Sequence, residues 1–348
     1  MIRSLTIMTL GHTRPLRAVL SFAVLLIVLS VGVSAQQPDE VIRTDTSLVQ
    51  LNVGVVDRQG HAITTLSRND FTVYEDGVLR PIAVFEPTEA PFSLVMLLDT
   101  SGSTIAFRQQ IEQAALRFLD ALAPGDRVSL VEFNGKGVKS QLGFSSDLNR
   151  VAYAIKFTLE ARGRGDTPLY DALKFSLKEL AKEGKRRKAI VVLTDGLDTE
   201  VRNTDRGALQ KASETEISTA IKPEANSQLN SVLNDADRQG VAIFPLALPS
   251  GDPKHLPLPD PLITAMYTAA RTRLELLANR TGGQLHEVRR LDELAKIYPI
   301  IAAEMRSLYT IAYRPQNPGA HDGKWREIRI EVARAELVAR TKPGYYAR

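Results

Sequence analysis

FSLVMLLDTSGS, residues 92–103, is the most informative segment of the chain for its fold. Its first seven residues are apolar apart from Ser93, so the segment lacks the polar alternation of a strand with one face in water. A strand of this kind is buried on both faces, as in a parallel sheet with helices on each side. The segment ends in Asp99, Ser101 and Ser103, polar side chains at the carboxyl end of a buried strand, where open α/β sheets bind ligands.

A regular alternation of strands and helices is predicted for the region around this segment. Further apolar segments alternate with segments of helical periodicity, and a last helix–strand–helix unit covers residues 271–307. The pattern predicts a doubly wound α/β domain with a mainly parallel sheet over residues 91–307. A polar stretch, 200–227, and a proline-rich stretch, 249–261, are long for plain connections and are expected at the surface.

The flanks of this region show a different period. Alternating apolar residues, such as Val49, Leu51 and Val53 before it and Tyr309 and Ile311 after it, predict strands with one covered face. Isolated hairpins are marginal in water, so residues 42–90 and 308–348 are interpreted as two halves of one small all-β sandwich into which the α/β domain is inserted. Two separate appendages on the α/β domain are the alternative.

The first 35 residues differ in kind from the rest. Arg3, Arg14 and Arg17 precede an uncharged apolar run over residues 18–33, and Val33-Ser34-Ala35 follows at its end, the order typical of a secretory signal peptide. The run of about 16 residues is short for a helix that must cross ~30 Å of hydrocarbon. The sequence therefore predicts a cleaved signal peptide over residues 1–35 and export to the periplasm, the cell surface or the medium. An uncleaved anchor is the alternative, and this segment is the only one expected to meet a membrane.

Composition excludes several classes of function. The chain of 348 residues has no cysteine, which rules out disulfides, thiolate metal sites and cysteine nucleophiles. Without residues 1–35 it has 41 basic and 40 acidic residues, so the basic excess of a nucleic-acid-binding protein is missing and no such partner is expected. The one dense basic cluster, residues 185–188, is interpreted as a solvated loop.

Oxygen-bearing side chains recur at the edge of the predicted sheet. Asp195 follows a second apolar strand as Asp99 follows the first, and Thr167 lies in a glycine-containing loop between them. Together with Ser101 and Ser103 they offer two carboxylates and three hydroxyls, hard ligands suited to Mg²⁺, Ca²⁺ or Mn²⁺. The sequence predicts one divalent metal site at this edge.

In these residues the chain resembles the von Willebrand factor A family, whose metal-ion-dependent adhesion site is Asp-x-Ser-x-Ser followed by a later Thr and a later Asp. The resemblance covers roughly residues 91–307. It implies that Ser101, Ser103 and Thr167 bind the metal directly, while Asp99 and Asp195 hold its waters. Mg²⁺ is the expected ion, with Mn²⁺ and Ca²⁺ as alternatives. Neutral hydroxyl ligands leave such an ion electron-poor, so we expect a protein partner to offer it an Asp or Glu carboxylate. No enzymatic activity is expected, because no positioned base or nucleophile is found. The flanks resemble those of exported bacterial proteins with this domain.

Three other interpretations stay open at this point. Asp, Ser and Thr are the favoured helix-capping residues, so each site residue alone could have a structural role. The domain could be a scaffold with a vestigial site. A metal-dependent hydrolase is the third, although Ser101 stands where an aspartic protease needs glycine and where a phosphatase of the aspartyl-phosphate type needs a second carboxylate. The five histidines are scattered through the chain without a metal-binding pair.

Overall fold

A computed structural model describes residues 48–348 except 89, 161–164, 185, 250–252, 254–257, 259, 289, 291–292, 318–321 and 348. The predicted signal peptide, residues 1–35, lies outside the described residues. Within the described part of the chain, no helix combines the length and apolarity that a membrane span requires.

A six-stranded sheet forms the centre of the α/β region. Its strands are β5 Phe92–Asp99, β6 Arg127–Asn134, β7 Gly137–Ser145, β8 Arg187–Thr194, β9 Val241–Ala247 and β10 His286–Glu287. They lie in the order β10-β9-β8-β5-β6-β7, and every neighbouring pair is parallel except β6 with β7. All eight residues of β5 are buried. The prediction of a mainly parallel sheet buried on both faces is confirmed.

Helices cover both faces of this sheet, which explains why β5 has no polar side. They are α1 Arg108–Leu119, α2 Leu148–Glu160, α3 Leu169–Ala181, α4 Thr199–Leu209, α5 Ser227–Gln239, α6 Pro261–Thr281 and α7 Leu294–Ser307. Leu94 and Met96 of β5 pack into the core formed with α1, α2 and α7. Val95 and Leu97 point to the opposite face and pack into the core formed with α3, α4, α5 and α6. The chain therefore has the doubly wound α/β architecture that the sequence predicts.

The two stretches expected to be surface connections contain more structure than their composition suggests. Residues 200–227 include most of α4, whose Val201 and Leu209 are buried, and two 3₁₀ turns, Ile217–Thr219 and Pro223–Ala225. The proline-rich stretch 249–261 ends with the start of α6 at Pro261. Asp260 caps this helix, because its side chain accepts from the backbone N–H groups of Leu262 and Ile263. Helix α6 therefore begins ten residues before the predicted 271.

The flanks form two antiparallel sheets. Their strands are β1 Val49–Val56, β2 Phe71–Glu75, β3 Val78–Arg80, β4 Ile82–Glu86, β11 Leu308–Tyr313, β12 Trp325–Val332, β13 Val338–Arg340 and β14 Gly344–Tyr346. One sheet has the order β13-β1-β11-β4 and the other β14-β12-β2-β3, so each sheet combines strands from both flanks. Leu51, Val53, Phe71, Tyr309 and Ile311 share one buried core. The fold class, an α/β domain flanked by a small β-sandwich, is confirmed; the domain boundaries at 91 and 308 stay a prediction.

The sandwich meets the α/β region at the amino ends of the parallel strands. The Asn52 side chain donates to the carbonyl oxygens of Gly240 (3.1 Å), just before β9, and of Thr281 (3.3 Å), at the end of α6. Lys342 forms an ion pair with Asp237 at 3.0 Å in which both side chains are buried. The carboxyl edge of the sheet is left to the loops that carry the candidate site.

The basic cluster 185–188 is not a solvated loop in its described part. Arg187 begins β8 and is buried, and its guanidinium donates to the carbonyl oxygens of Thr88 (2.6 Å), Ala90 (3.2 Å) and Met305. Arg186 donates to the Ser93 hydroxyl at 3.0 Å. The sequence interpretation was wrong here because three carbonyl oxygens from two distant segments satisfy a cation that would otherwise need water.

Candidate metal centre

Strand register brings the two carboxylates of the predicted site to the same edge. Strands β5 and β8 are parallel neighbours with Leu98 opposite Leu193, so Asp99 and Thr194 end the two strands side by side. The Thr194 hydroxyl donates to Asp99 Oδ2 at 2.9 Å. Asp195, the next residue, turns out of β8 into the loop before α4, so the strand ends themselves position both acids.

The turn after β5 holds the serine hydroxyls next to Asp99. The backbone N–H of Ser101 donates to Asp99 Oδ1 at 2.9 Å, and the Oγ atoms of Ser101 and Ser103 lie 3.1 Å apart within hydrogen-bond distance. The Thr104 hydroxyl donates to the carbonyl oxygens of Asp99 (2.9 Å) and Ser101 (3.0 Å). The turn continues into a 3₁₀ helix, Gly102–Phe107, which leads directly into α1.

Thr167 is tied to the start of α4. Its backbone N–H donates to the Thr199 hydroxyl (2.9 Å), and the Thr199 N–H donates back to the Thr167 carbonyl oxygen (3.1 Å). The preceding Gly165 has φ +95°, and a Cβ there would lie 3.2 Å from the Cα of Gly135, so this approach of two loops needs glycine. The Arg-Gly-Asp tripeptide 164–166 overlaps this loop, and its Arg164 lies outside the described residues.

Four of the five predicted residues line one cleft of about 180 Å³ at the carboxyl edge of the sheet. They are Ser101, Ser103, Thr167 and Asp195. The fifth, Asp99, is fully buried directly behind Ser101, to which it is hydrogen-bonded. The structure therefore brings all five together.

The two carboxylates perturb each other. Burial raises the pKa of Asp99 to about 7, the charge of Asp195 adds to the shift, and hydrogen bonds from Ser101 and Thr194 oppose it. Burial also raises the pKa of Asp195. Hydrogen bonds from the Leu197 N–H and the Ser103 hydroxyl and the charges of Arg271 and Arg202 oppose this shift. Both carboxylates must be ionised to hold a cation well, and a divalent ion between them would offset the cost of burying the two charges.

The donor set fits a hard divalent cation. Every donor of the predicted set is an oxygen, two from carboxylates and three from hydroxyls, as Mg²⁺, Mn²⁺ and Ca²⁺ prefer. Among the described residues there is no group of three or more His, Cys, Asp or Glu side chains that could hold a metal. A metal here would therefore depend on the serine and threonine hydroxyls as well as on the two acids.

Several residues at the cleft escaped the sequence analysis. Asp198 caps α4 by accepting from the N–H groups of Glu200 (3.0 Å) and Val201 (3.1 Å), and it also accepts from the Tyr170 N–H (3.3 Å). Burial raises the pKa of Asp198, and these three bonds oppose the shift. An N-cap signal in the sequence, Asp198 before Thr199, could have identified it. Arg202, which also lines the cleft, carries no comparable signal.

The histidines of the described chain lie elsewhere. His61 forms a 3.1 Å contact with Asp57, and His286 forms one of 3.0 Å with Glu304. Neither histidine lines the cleft. The other three histidines, His12, His255 and His321, are not among the described residues.

Comparisons with known proteins agree with this architecture. Residues 94–197, which include all five predicted site residues, match the family model of the von Willebrand factor type A domain. The resemblance inferred from the sequence is thus confirmed over these residues. The comparison with curated proteins gave no match.

Solved structures show distant likenesses. An aerotolerance-related membrane protein from Bacteroides fragilis is 15% identical over 62% of this chain and 98% of its own, with a TM-score of 0.43. The vWF domain of the type V pili tip protein Mfa5 from Porphyromonas gingivalis is 17% identical over 64% and 95%, with a TM-score of 0.44. The pilus adhesin SpaC from Lactobacillus rhamnosus GG is 12% identical over 87% and 47%, with a TM-score of 0.45. These likenesses are too distant to carry an inference about function.

Proposed function

We propose that the chain is an exported protein-binding module that works through one divalent cation held by a von Willebrand factor A domain, whose family model residues 94–197 match. Ser101, Ser103 and Thr167 bind the ion directly, and Asp99 and Asp195 hold its waters. The ion is Mg²⁺, with Mn²⁺ and Ca²⁺ as alternatives of the same ligand chemistry. Its open position accepts an Asp or Glu carboxylate from a partner protein.

The observation that carries this proposal is the pair of buried carboxylates at an open cleft. Asp99 is 0% exposed and Asp195 4% exposed, yet no arginine or lysine forms an ion pair with either carboxylate among the described residues. Burying two like charges near each other is unfavourable unless a cation compensates them. Helix capping does not account for the pair, since Asp198 is the residue that caps α4.

The chemistry of the proposed inner shell supports binding rather than hydrolysis. Neutral hydroxyl ligands leave most of the charge on the ion, so the ion gains from one more anionic oxygen. Hydrolysis would need a positioned base near the open position. The acids that line the cleft are Asp195, assigned to the metal, and Asp198, whose oxygens already accept three backbone N–H groups.

Export and domain layout are part of the proposal. The segment 1–35 is the signal peptide, and residues 42–90 and 308–348 are the two halves of a sandwich that brackets the von Willebrand factor A domain at 91–307. The cleft lies at the carboxyl edge of the sheet and the sandwich contacts its amino edge, so a bound partner is held on the side away from the sandwich. Mass spectrometry of protein recovered from the cell envelope tests export: a mature N-terminus at Gln36 supports it, and an intact N-terminus in cytoplasmic protein contradicts it.

Calorimetric titration with Mg²⁺ and Mn²⁺ tests the metal site. We expect the wild-type chain to bind one ion, and Asp99→Ala to lose binding because one of the two water-holding carboxylates is gone. Asp166→Ala is the matched control, since Asp166 is an exposed acid next to Thr167 that does not line the cleft.

If the wild type binds neither ion at millimolar concentration, the metal-dependent proposal fails and the scaffold with a vestigial site takes its place. Equal loss in Asp99→Ala and Asp166→Ala would show instead that general surface charge, rather than the site, attracts the ion.

A further inference from the structure

One cation at the cleft, Arg202, makes no side-chain hydrogen bond or ion pair in the part of the chain that the structure describes. Arg202, in the first turn of α4, lines the same cleft as Ser101, Ser103, Thr167 and Asp195. Its Nε is buried and makes no hydrogen bond, and its guanidinium forms no ion pair with any described residue. The Nε of Arg273 is also without a hydrogen bond, but the terminal N–H groups of Arg273 bind Asp205. Arg202 has no such bond with a described residue through any of its side-chain nitrogens, and a charged side chain of this kind beside a candidate binding site needs an explanation.

Two other arginines near the site are committed to the backbone. Arg271 donates to the carbonyl oxygens of Asp195 (2.8 Å) and Leu248 and lies over the Tyr267 ring. Arg108 donates to the carbonyl oxygen of Thr100 at 2.7 Å. These two side chains hold the loops of the site in place. Arg202 forms no such bond with any described residue.

The nearest acids on α4 do not compete for Arg202. Asp198, four residues earlier and also at the cleft, uses its oxygens to cap α4 and to accept from the Tyr170 N–H. Asp205, on the same helix, pairs with Arg273 through two bonds of 2.6 and 2.7 Å. The guanidinium of Arg202 is therefore available to a ligand that enters the cleft.

We propose that Arg202 binds one oxygen of the partner's carboxylate while the metal ion binds the other, so that Arg202 is the residue that selects a carboxylate. This inference rests on the proposed metal-dependent function. A carboxylate presents two acceptor oxygens, and the planar guanidinium is the side chain best suited to pair with one. A neutral oxygen ligand, such as a hydroxyl or an amide, could reach the metal but would leave Arg202 unpaired, which disfavours it.

Arg202 is also expected to affect metal binding: its charge favours a carboxylate ligand but disfavours the cation. It lies close enough to lower the pKa of Asp195 through its charge, and the same charge repels a cation. Removal of the charge should therefore weaken carboxylate binding and leave metal binding unchanged or somewhat tighter. A residue that only supported the fold would weaken both together.

The test measures the two affinities separately on the mature chain. Calorimetry gives the Mg²⁺ affinity, and NMR titration at saturating Mg²⁺ gives the affinity for three small probes. N-acetylaspartic acid α-amide offers a side-chain carboxylate, N-acetylalanine a terminal carboxylate, and N-acetylalanine amide none. The variants are Arg202→Gln, Arg202→Lys and, as a matched control, Arg206→Gln, which removes an exposed arginine one turn further along α4.

We expect Arg202→Gln to weaken both carboxylate probes about tenfold, the effect of losing one hydrogen bond between charged groups. Its Mg²⁺ affinity should stay the same or rise. Arg202→Lys should lie between the wild type and Arg202→Gln, because lysine keeps the charge and loses the planar fork. Arg206→Gln should match the wild type, and the amide probe should bind far more weakly than either acid. Tighter binding of the aspartate probe supports a side-chain carboxylate as the natural ligand, and tighter binding of N-acetylalanine supports a chain terminus.

Three outcomes would overturn the role of Arg202. Unchanged carboxylate affinity in Arg202→Gln, with Mg²⁺ still bound, refutes it and leaves the proposed function standing. A parallel loss of Mg²⁺ binding, probe binding and thermal stability in Arg202→Gln indicates a structural residue. Failure of the wild type to bind Mg²⁺ removes the proposed function, and this inference falls with it.

Discussion

Opposing effects act on the ionisation of the buried Asp99 carboxylate: hydrogen-bond donors favour the charged form, and burial and a neighbouring acid disfavour it. Ser101 and Thr194 donate hydrogen bonds to it, while desolvation and the nearby Asp195 raise its pKa to about 7. In the unfolded chain the same group ionises near the ordinary aspartate pKa of 3.8. Without a metal, this residue therefore lowers the stability of the folded state at neutral pH, as residues shaped for binding often do.

Asp99→Asn should separate binding from stability. The metal-free wild type is expected to lose stability as pH rises from about 4 to about 7, because over this interval the unfolded chain ionises and the folded one does so only at the end. The amide cannot ionise, so the metal-free variant should be more stable than the wild type by roughly 1–4 kcal/mol at pH 8. Urea denaturation in EDTA at several pH values measures this difference.

Added Mg²⁺ should reverse the order of the two proteins, since it stabilises the wild type and finds one carboxylate fewer in the variant. Asp166→Asn, which changes an exposed acid near the cleft, should match the wild type throughout. Lower stability of Asp99→Asn in EDTA at pH 8 would contradict the assignment of an unfavourable charge to Asp99.

Helix α4 is the element that assembles one side of the cleft. Its N-cap is Asp198, its first residue Thr199 holds the Thr167 loop, and Arg202 lies in its first turn. Few apolar residues anchor this helix. A buried ion pair to α6, in which both Asp205 oxygens accept from Arg273 and the side chains are 8% and 5% exposed, supplies much of its attachment.

Loss of one partner of this pair should cost far more than loss of both. Asp205→Ala leaves Arg273 charged and buried, so we expect a loss of about 3–5 kcal/mol in the free energy of unfolding. The double replacement Asp205→Leu with Arg273→Met should cost much less, because apolar residues of similar volume leave no buried charge. Urea denaturation of the three proteins gives the comparison.

The exposed pair Glu179–Lys182 provides the control for this helix prediction. Its Lys182 side chain is 62% exposed, so Glu179→Ala should cost less than about 1 kcal/mol. If Asp205→Ala costs no more than Glu179→Ala, the buried pair does not hold α4 in place.

At the scale of the whole molecule, strands from the two ends of the described chain pair with each other in both sheets of the sandwich. Strand β1 lies between β11 and β13, and β2 lies between β12 and β3. A buried acid also joins the flanks: Glu75 of β2 accepts from the Tyr313 (2.9 Å) and Tyr345 (3.0 Å) hydroxyls. The N-terminal flank thus depends on residues more than 200 positions away.

Deletion of residues 308–348 tests the proposed domain layout. Without β11–β14, strand β1 loses both neighbours it pairs with, β2 loses one of its two, and the shared core is incomplete, so we expect limited proteolysis to cleave within residues 49–86. The region 91–307 has its own two cores and should remain protected. Mass spectrometry of the fragments reports both results, and unchanged protection of residues 49–86 would contradict a shared sandwich.

The amino-acid sequence was sufficient to predict the architecture and the candidate metal residues. A uniformly apolar strand indicates burial on both faces of the sheet, and an alternating strand indicates burial on one face. The reason is that successive side chains of a strand point to opposite faces. The carboxyl ends of parallel strands share one edge, so Asp99 and Asp195 could be placed together although 96 positions separate them. Each of these inferences needs only the pattern around a residue and a general rule of sheet geometry.

Only the tertiary structure decided which polar groups pair. The buried Arg187, the Asp205–Arg273 pair and the Glu75 contacts all join segments that are far apart in the chain, and nothing in the local pattern names the partner. The sequence likewise contained no sign that Arg202 makes no such pair, since its sequence context resembles that of any helix-surface arginine. Whether a charged side chain is hydrogen-bonded depends on which atoms the fold brings within hydrogen-bond distance of it. Only the tertiary structure therefore shows that no described residue bonds to the Arg202 side chain.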